Sequence, residues 1–263
     1  LKQRIITGAI AATFFVPIVI LGGSIFNILI YFMAAIGLFE LLRMKGIKLY
    51  SIAGLISILL LFVLLIPNSI AVDLSQITGH TKTEWLFVAV FLLLIYSVFV
   101  KNQFTFDDAA FAIMATLYVG IGFYYFMETR EIGLTYVIFA LVVVWTTDSS
   151  AYFTGRKFGK RKLWPEISPN KTIEGFVGGI VGAIIAACIL QWITPFSSSY
   201  LILIGITIAA SIFGQLGDLV ESAIKRHYDV KDSGKILPGH GGILDRFDSL
   251  LFVIPLLHFL HFV

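Results

Sequence analysis

SAIKRHYDVKDSGKILPGHGGILDRFD, Ser222 to Asp248, holds Lys225, Arg226, Lys231, Lys235 and Arg246 beside Asp229, Asp232, Asp245 and Asp248, with a Pro-Gly-His-Gly-Gly turn between them. Apolar runs of membrane-spanning length flank it on both sides. Charges kept in such surroundings need a charged ligand. Lys and Arg beside carboxylates and glycines suit phosphate oxygens, a divalent cation and close backbone approach. The stretch reads as a metal-assisted phosphate site at a membrane surface.

The whole chain fits that setting. Its 263 residues are 58% hydrophobic and 13% charged, with a mean hydropathy of +0.94. Soluble domains are nearer 45–50% apolar and about 25% charged. The fold expected is an all-α integral membrane protein. About nine transmembrane helices are predicted, at 5–22, 25–42, 51–67, 84–100, 108–127, 132–154, 173–194, 200–224 and 245–263. A hydrocarbon core of roughly 30 Å needs about 20 apolar residues per crossing. The first run lacks a convincing cleavage site and reads as a retained helix. A single cysteine, Cys188, excludes disulfides and cysteine-based zinc sites within the chain.

Orientation follows from the basic residues. With nine spans and a cytoplasmic N-terminus, every Lys and Arg, from Lys2 and Arg4 onward, falls on the cytoplasmic side except Lys82 and Arg130. Both long basic loops, 155–172 and 225–244, then face the cytoplasm. Residues 1–130 read as transmembrane scaffold, with 68–83 as an outer loop and Glu40–Arg43 as an interfacial pair at i, i+3. Residues 131–263 read as the catalytic transmembrane region.

Within that second half, Asp148 sits inside an apolar helix, where a carboxylate calls for a polar cavity, a cation or a basic partner. Five cations from Arg156 to Lys162 follow, a cluster equally suited to anionic lipid headgroups. Ser168–Pro169 reads as the N-cap and first position of the next helix, offering its N–H groups, Lys171 and hydroxyls to a phosphate. Gly175, Gly178, Gly179 and Gly182 make a small-residue packing face. Asp218, Ser222 and Lys225 share a helix face, and Glu221 precedes Lys225 by four residues. Asp218 and Asp245 are expected to converge on Mg²⁺, which takes one or two carboxylates, waters and phosphates. The PGHGG turn suggests an anion nest, with His240 as a donor.

At these residues the chain resembles the phosphatidate cytidylyltransferases (CDP-diacylglycerol synthases). The run S-x-I-K-R-x4-K-D-x-G-x2-L-P-x-H-G-G-I-x-D-R-F-D is similar to that family's pattern throughout. D-x-x-A-Y-F-x-G-R-x-F-G-K from Asp148 and S-P-x-K-T-x-E-G from Ser168 resemble it too, with Thr147 standing where Asn is expected. The resemblance implies CTP + phosphatidate → CDP-diacylglycerol + pyrophosphate in phospholipid biosynthesis. It also implies Mg²⁺, a homodimer, and a multi-pass enzyme whose site opens to the cytoplasm and to membrane lipid. A bacterial inner membrane is favoured, and no nucleic-acid partner is expected.

The metal-binding acids implied are Asp218 and Asp245, with Asp148 or Asp248 completing the shell or holding a second cation. Lys171, Lys225, Arg226 and Arg246 would meet phosphates; Asp218, Asp245, Lys171, Lys225 and Arg246 form the catalytic set. Ser168, Thr172, Ser222, His240, Gly241 and Gly242 complete the substrate contacts. Two rivals are a CTP-dependent lipid-alcohol kinase and a transporter for an anionic substrate.

Overall fold

The computed structural model describes residues 2–263; the side chains of residues 2–6 and 9, including Lys2 and Arg4, lie outside the described residues. Eleven helices and one small hairpin are described: α1 (Lys2–Leu21), α2 (Gly23–Lys45), α3 (Ile52–Leu65), α4 (Asn68–Thr78), α5 (Lys82–Phe99), α6 (Phe106–Ile132), α7 (Leu134–Phe158), β1 (Lys162–Trp164), β2 (Ser168–Thr172), α8 (Ile173–Ile193), α9 (Tyr200–His227), α10 (Leu244–Phe247) and α11 (Leu250–Phe259). Helices dominate because lipid offers no partner for a free backbone N–H or C=O. The chain divides into two compact units, one of residues 1–128 with 232–244, the other of 129–231 with 245–263.

Among the described residues, six helices are long and apolar enough to cross a membrane: α2, α5, α6, α7, α8 and α9. The count reaches seven if α3 and α4, bent by 113° at their break, form one span. The sequence reading of nine also includes 5–22 and 245–263, where the described apolar helices are shorter, Ile10–Leu21 and Leu250–Phe259.

In the first unit, α3 begins on Ser51, whose side chain accepts the Gly54 N–H at 3.2 Å. Its last turn is met by Lys82, whose Nζ donates to the Leu64 and Ile66 carbonyls at 3.0 and 2.5 Å and lies 3.9 Å from the centre of the Tyr124 ring. A cation at a helix C-terminus satisfies orphan carbonyls and offsets the dipole. Residues 68–83, expected to be a loop, contain α4, which closes on Gly79 in the left-handed region (φ +73°).

In the second unit, α7 and α8 pack face to face, as the glycine spacing predicts. A Cβ on Gly178 would overlap Thr154, and one on Gly182 would overlap Ser150. Small residues on α8 therefore let the two backbones approach closely. Large apolar side chains such as Trp192, Leu201 and Phe153 are exposed, as suits a lipid-facing surface.

One local expectation is overturned. Ser168–Pro169 does not open a helix; β2 pairs antiparallel with β1, placing Trp164 opposite Ser168 and Lys162 opposite Thr172. The helix starts five residues beyond Ser168, at Ile173, because Thr172 is the better cap: extended backbone (φ −127°, ψ 154°) with its hydroxyl accepting the Gly175 N–H at 3.1 Å. Pro169 suits a two-stranded hairpin, where every strand is an edge.

Candidate active site

The second unit assembles charged side chains from four elements, α7, β2, α9 and α10. Asp148 projects from α7, four turns' worth of apolar residues after the helix begins. Lys171 comes from β2, and Asp218, Glu221, Ser222 and Lys225 from the last third of α9. Asp245 and Arg246 lie on the single turn of α10, and Asp248 follows it.

A cavity of about 640 Å³ opens between α7, the hairpin, α8 and α9. Asp148, Lys171 and Asp218 line it together with Arg156, Lys160 and Lys162. Its size falls within the usual range for small-molecule sites. Lys171 Nζ sits 2.7 Å from Asp218 Oδ2, while Ser222 donates to Asp218 Oδ1 at 3.3 Å. Asp218 also acts electrostatically on both Asp148 and Asp248, so three carboxylates share one field. Lys171 and Arg246 offset that charge at Asp148.

A second cluster is more deeply enclosed. Lys225 Nζ lies 2.6 Å from Asp245 Oδ1 and 2.5 Å from Glu221 Oε2. The Glu221 side chain is fully buried and that of Asp245 is 5% exposed. The Lys225–Glu221 contact is an ion pair by distance without hydrogen-bond alignment. Two acids around one lysine leave the group net negative.

Asp218 and Asp245 are thus each held by a lysine of their own. Among the described residues, no three His, Cys, Asp or Glu side chains are already grouped to hold a metal ion. The donor set nonetheless fits Mg²⁺. The groups are all hard carboxylate oxygens, Asp148 and Asp218 line one cavity, and their mutual repulsion is what a divalent cation offsets. Mg²⁺ takes as few as one or two protein carboxylates, with waters and phosphates supplying the rest.

Other expected site residues are placed as follows. Ser168 and Thr172 line the cavity, although the Thr172 hydroxyl is engaged as the α8 cap. Arg226 and Arg246 are exposed. His240, Gly241 and Gly242 belong to the first unit. There, Gly239 and Gly241 take positive φ, and the turn closes through His240 N–H to the Leu237 carbonyl (2.8 Å) and Leu237 N–H to the Gly241 carbonyl (3.0 Å). At least the His240 amide is therefore spent within the turn and is not part of a free nest.

The basic run that ends α7 and continues beyond it gave no sign in the sequence of which way it faced. Arg156 lines the cavity from the last turn of α7, and Lys160 and Lys162 line it because Gly159 ends α7 and the chain turns back into the hairpin. Glu174 fastens that turn, accepting from the Lys160 and Arg161 amides at 3.1 and 3.3 Å. Tyr152 and Asn170, also lining the cavity, carried no distinguishing spacing.

A family model described as "Cytidylyltransferase family" matches residues 2–263. A protein of Bacillus subtilis (strain 168) named phosphatidate cytidylyltransferase is 57% identical over 263 residues, covering 99% of this chain and 97% of the relative. Proteins with the same name from Staphylococcus haemolyticus and Staphylococcus epidermidis are 50% and 51% identical over 260 residues, covering 99% of this chain and 98% of theirs. A multi-pass helical protein with cations and carboxylates lining one cavity is, by this kinship, a nucleotidyltransferase. The chain belongs to the cytidylyltransferase family.

Proposed function

We propose that this chain transfers the cytidylyl group of CTP to phosphatidate, yielding CDP-diacylglycerol and pyrophosphate for phospholipid biosynthesis. The observation that carries the reading is the cavity in which Arg156, Lys160, Lys162 and Lys171 surround Asp148 and Asp218. A triphosphate needs that density of positive charge, and a divalent cation needs those acids.

In the reaction, a phosphate oxygen of phosphatidate attacks the α-phosphorus of CTP. A new P–O–P linkage forms, the α–β bridging bond breaks, and pyrophosphate leaves with its electron pair. The nucleophile is already anionic at neutral pH, so no general base is required. The barrier lies in bringing two polyanions together, which makes positioning and charge neutralisation the main tasks. Lys171 and Lys225 supply ammonium groups beside the site acids, and Arg246 adds a guanidinium. Arg156, Lys160 and Lys162 hold the nucleotide phosphates at the cavity rim. Asp218 and Asp245 would hold Mg²⁺, with Asp148 or Asp248 completing its shell or taking a second cation. Bound there, Mg²⁺ supplies charge stabilisation to the phosphoryl oxygens and the leaving pyrophosphate.

The lysine and arginine distribution supports a cytoplasmic N-terminus and a cytoplasm-facing site, in a bacterial inner membrane. Nine crossings require α1, the α3–α4 pair and α10–α11 each to traverse the bilayer, alongside the six long helices. A homodimer remains part of the reading through the family resemblance.

The test uses purified protein with phosphatidate and Mg²⁺, with CTP labelled at the α or the γ phosphate. Label from the α position alone should enter the chloroform phase and be lost with EDTA. γ label entering a lipid alcohol would instead make the protein a kinase, and no transfer of either would favour a transporter.

A further inference from the structure

Lys160 and Lys162 line the cavity, while Arg161 between them is not among its lining residues. Neither lysine stands on a helix, so the segment that carries them is held by other means. Three ties join it to the start of α8, all within the second unit. The Glu174 carboxylate accepts the Lys160 N–H at 3.1 Å and the Arg161 N–H at 3.3 Å. The Ile173 N–H donates to the Arg161 carbonyl at 3.0 Å, and Lys162 pairs with Thr172 in the hairpin. Arg161 is thus gripped at both its amide and its carbonyl, with a cavity lysine on either side.

The seat of Glu174 has no slack. A Cβ on Gly155 would stand 2.9 Å from the Thr172 hydroxyl, and one on Gly175 2.8 Å from the Ala151 carbonyl, so the end of α7 and the start of α8 meet through their backbones. Gly159, where α7 ends, is equally confined: a Cβ there would lie 2.8 Å from the Thr172 methyl. These contacts fix where Glu174 stands. They do not reach the 160–161 turn, whose two amides go to that one carboxylate. A carboxylate suits the position, at the positive end of α8, and its bonds to N–H groups are charge-assisted. Lys171, three residues before it, is engaged elsewhere, 2.7 Å from Asp218.

We propose that Glu174 is a positioning residue for nucleotide binding: by accepting the Lys160 and Arg161 amides it sets the turn from which Lys160 and Lys162 reach the CTP phosphates. This rests on the cytidylyl-transfer reading above. Glu174 is not among the cavity's lining residues; it acts through the turn. Its reach is what counts, because its negative charge by itself repels an anionic substrate. Reach and charge can be separated. Glutamine keeps the length and one acceptor oxygen, whereas aspartate keeps the charge and falls one methylene short. Misplacement by about 1 Å can lower a rate about 10²-fold.

The experiment compares wild type, Glu174→Ala, Glu174→Asp and Glu174→Gln as the full chain in phosphatidate-containing mixed micelles with Mg²⁺. Michaelis constants for CTP and for phosphatidate are measured separately, with thermal unfolding and backbone hydrogen exchange alongside. For Glu174→Ala and Glu174→Asp, kcat/KM for CTP should fall roughly 10- to 100-fold while the KM for phosphatidate stays within about two-fold. Glu174→Gln should stay within about five-fold of wild type, because its remaining oxygen still accepts. Exchange should quicken at Lys160 and Arg161 in the first two variants and hold in the third. With Lys160 and Lys162 both changed to alanine, adding Glu174→Ala should cost no more than about two-fold further, as expected for groups acting through one contact. If Glu174→Ala does not fold, the aspartate and glutamine variants decide. A Glu174→Asp protein with wild-type CTP kinetics would overturn the inference, as would a Glu174→Gln protein as impaired as Glu174→Ala. An equal loss for both substrates, tracking a fall in melting temperature, would overturn it too and make Glu174 purely structural. A wild-type protein that transfers no α label removes the functional reading, and the inference falls with it.

Discussion

Replacing Lys225 with Met should destabilise the protein far more than a surface lysine would. The Lys225 side chain is 12% exposed, and its ammonium stands between the fully buried Glu221 and the nearly buried Asp245. Counted with every group ionised, the trio carries −1; without the ammonium it becomes −2. Removing one partner of a buried pair costs about 3–5 kcal/mol. In a chain of this size about 1 kcal/mol corresponds to roughly 2–4 °C, so the melting temperature should fall by about 6–20 °C. The assay is thermal unfolding in one fixed detergent, followed by fluorescence-detected size exclusion. A Glu221→Gln change added to Lys225→Met returns the trio to −1 and should recover part of the loss. A Lys225→Met protein melting within about 2 °C of wild type would refute the reasoning, because a buried trio of this kind cannot lose its cation so cheaply. It would mean that water or another cation reaches the two acids.

Asp218→Asn should behave in the opposite way, abolishing transfer while moving the melting temperature by no more than a few degrees. Its pair with Lys171 is partly solvated, at 32% and 25% side-chain exposure, and such pairs contribute about 0–1 kcal/mol; full activity would sink the metal assignment. Gly182→Ala should destabilise by about 1–3 kcal/mol through overlap with Ser150. The control is Gly205→Ala in α9, where a Cβ meets nothing within 4 Å and a helix-interior alanine gains about 0.5–1 kcal/mol. Thermal unfolding of the two variants should therefore diverge in sign.

Apolar run length placed the six long helices well, because crossing a bilayer demands about 20 contiguous apolar residues. It was weaker where helices bend or stop short: α3 turns into α4 at Pro67, and α11 has ten residues. Charge spacing along one helix was also readable. Glu221 and Lys225 pair at i, i+4, and Ser222 reaches Asp218 over the same interval. Contacts between elements were not. Lys171 meets Asp218 only because Ser168–Thr172 forms a strand, where serine followed by proline gave a helix start. The expected convergence of Asp218 and Asp245 rested on their flanking helix ends; that each carboxylate also has a lysine beside it was not readable there. Glu40 looked like an interfacial charge near Arg43, since nothing local to α2 points to Gly234 and Gly242, where a Cβ would overlap its carboxylate. The basic run from Arg156 to Lys162 suited lipid headgroups and nucleotide alike, and only the turn at Gly159 separates the two.

The non-contiguous make-up of the first unit bears on how the protein is made. When α2 leaves the ribosome, Ser233 lies 193 residues downstream of Glu40. At about 5–20 residues per second that is roughly 10–40 s of synthesis. Through this interval the Glu40 carboxylate lacks the donors it ends with in this segment, the Ser233 hydroxyl and the Ile243 and Leu244 amides among them, and Arg43, on the next turn of the same helix, is the nearest opposite charge in sequence. A nascent chain that stops before residue 232 therefore contains α1 to α9 but leaves an acid without those partners among apolar side chains. Late closure by a 13-residue segment ties completion of the N-terminal half to arrival of the C-terminal half.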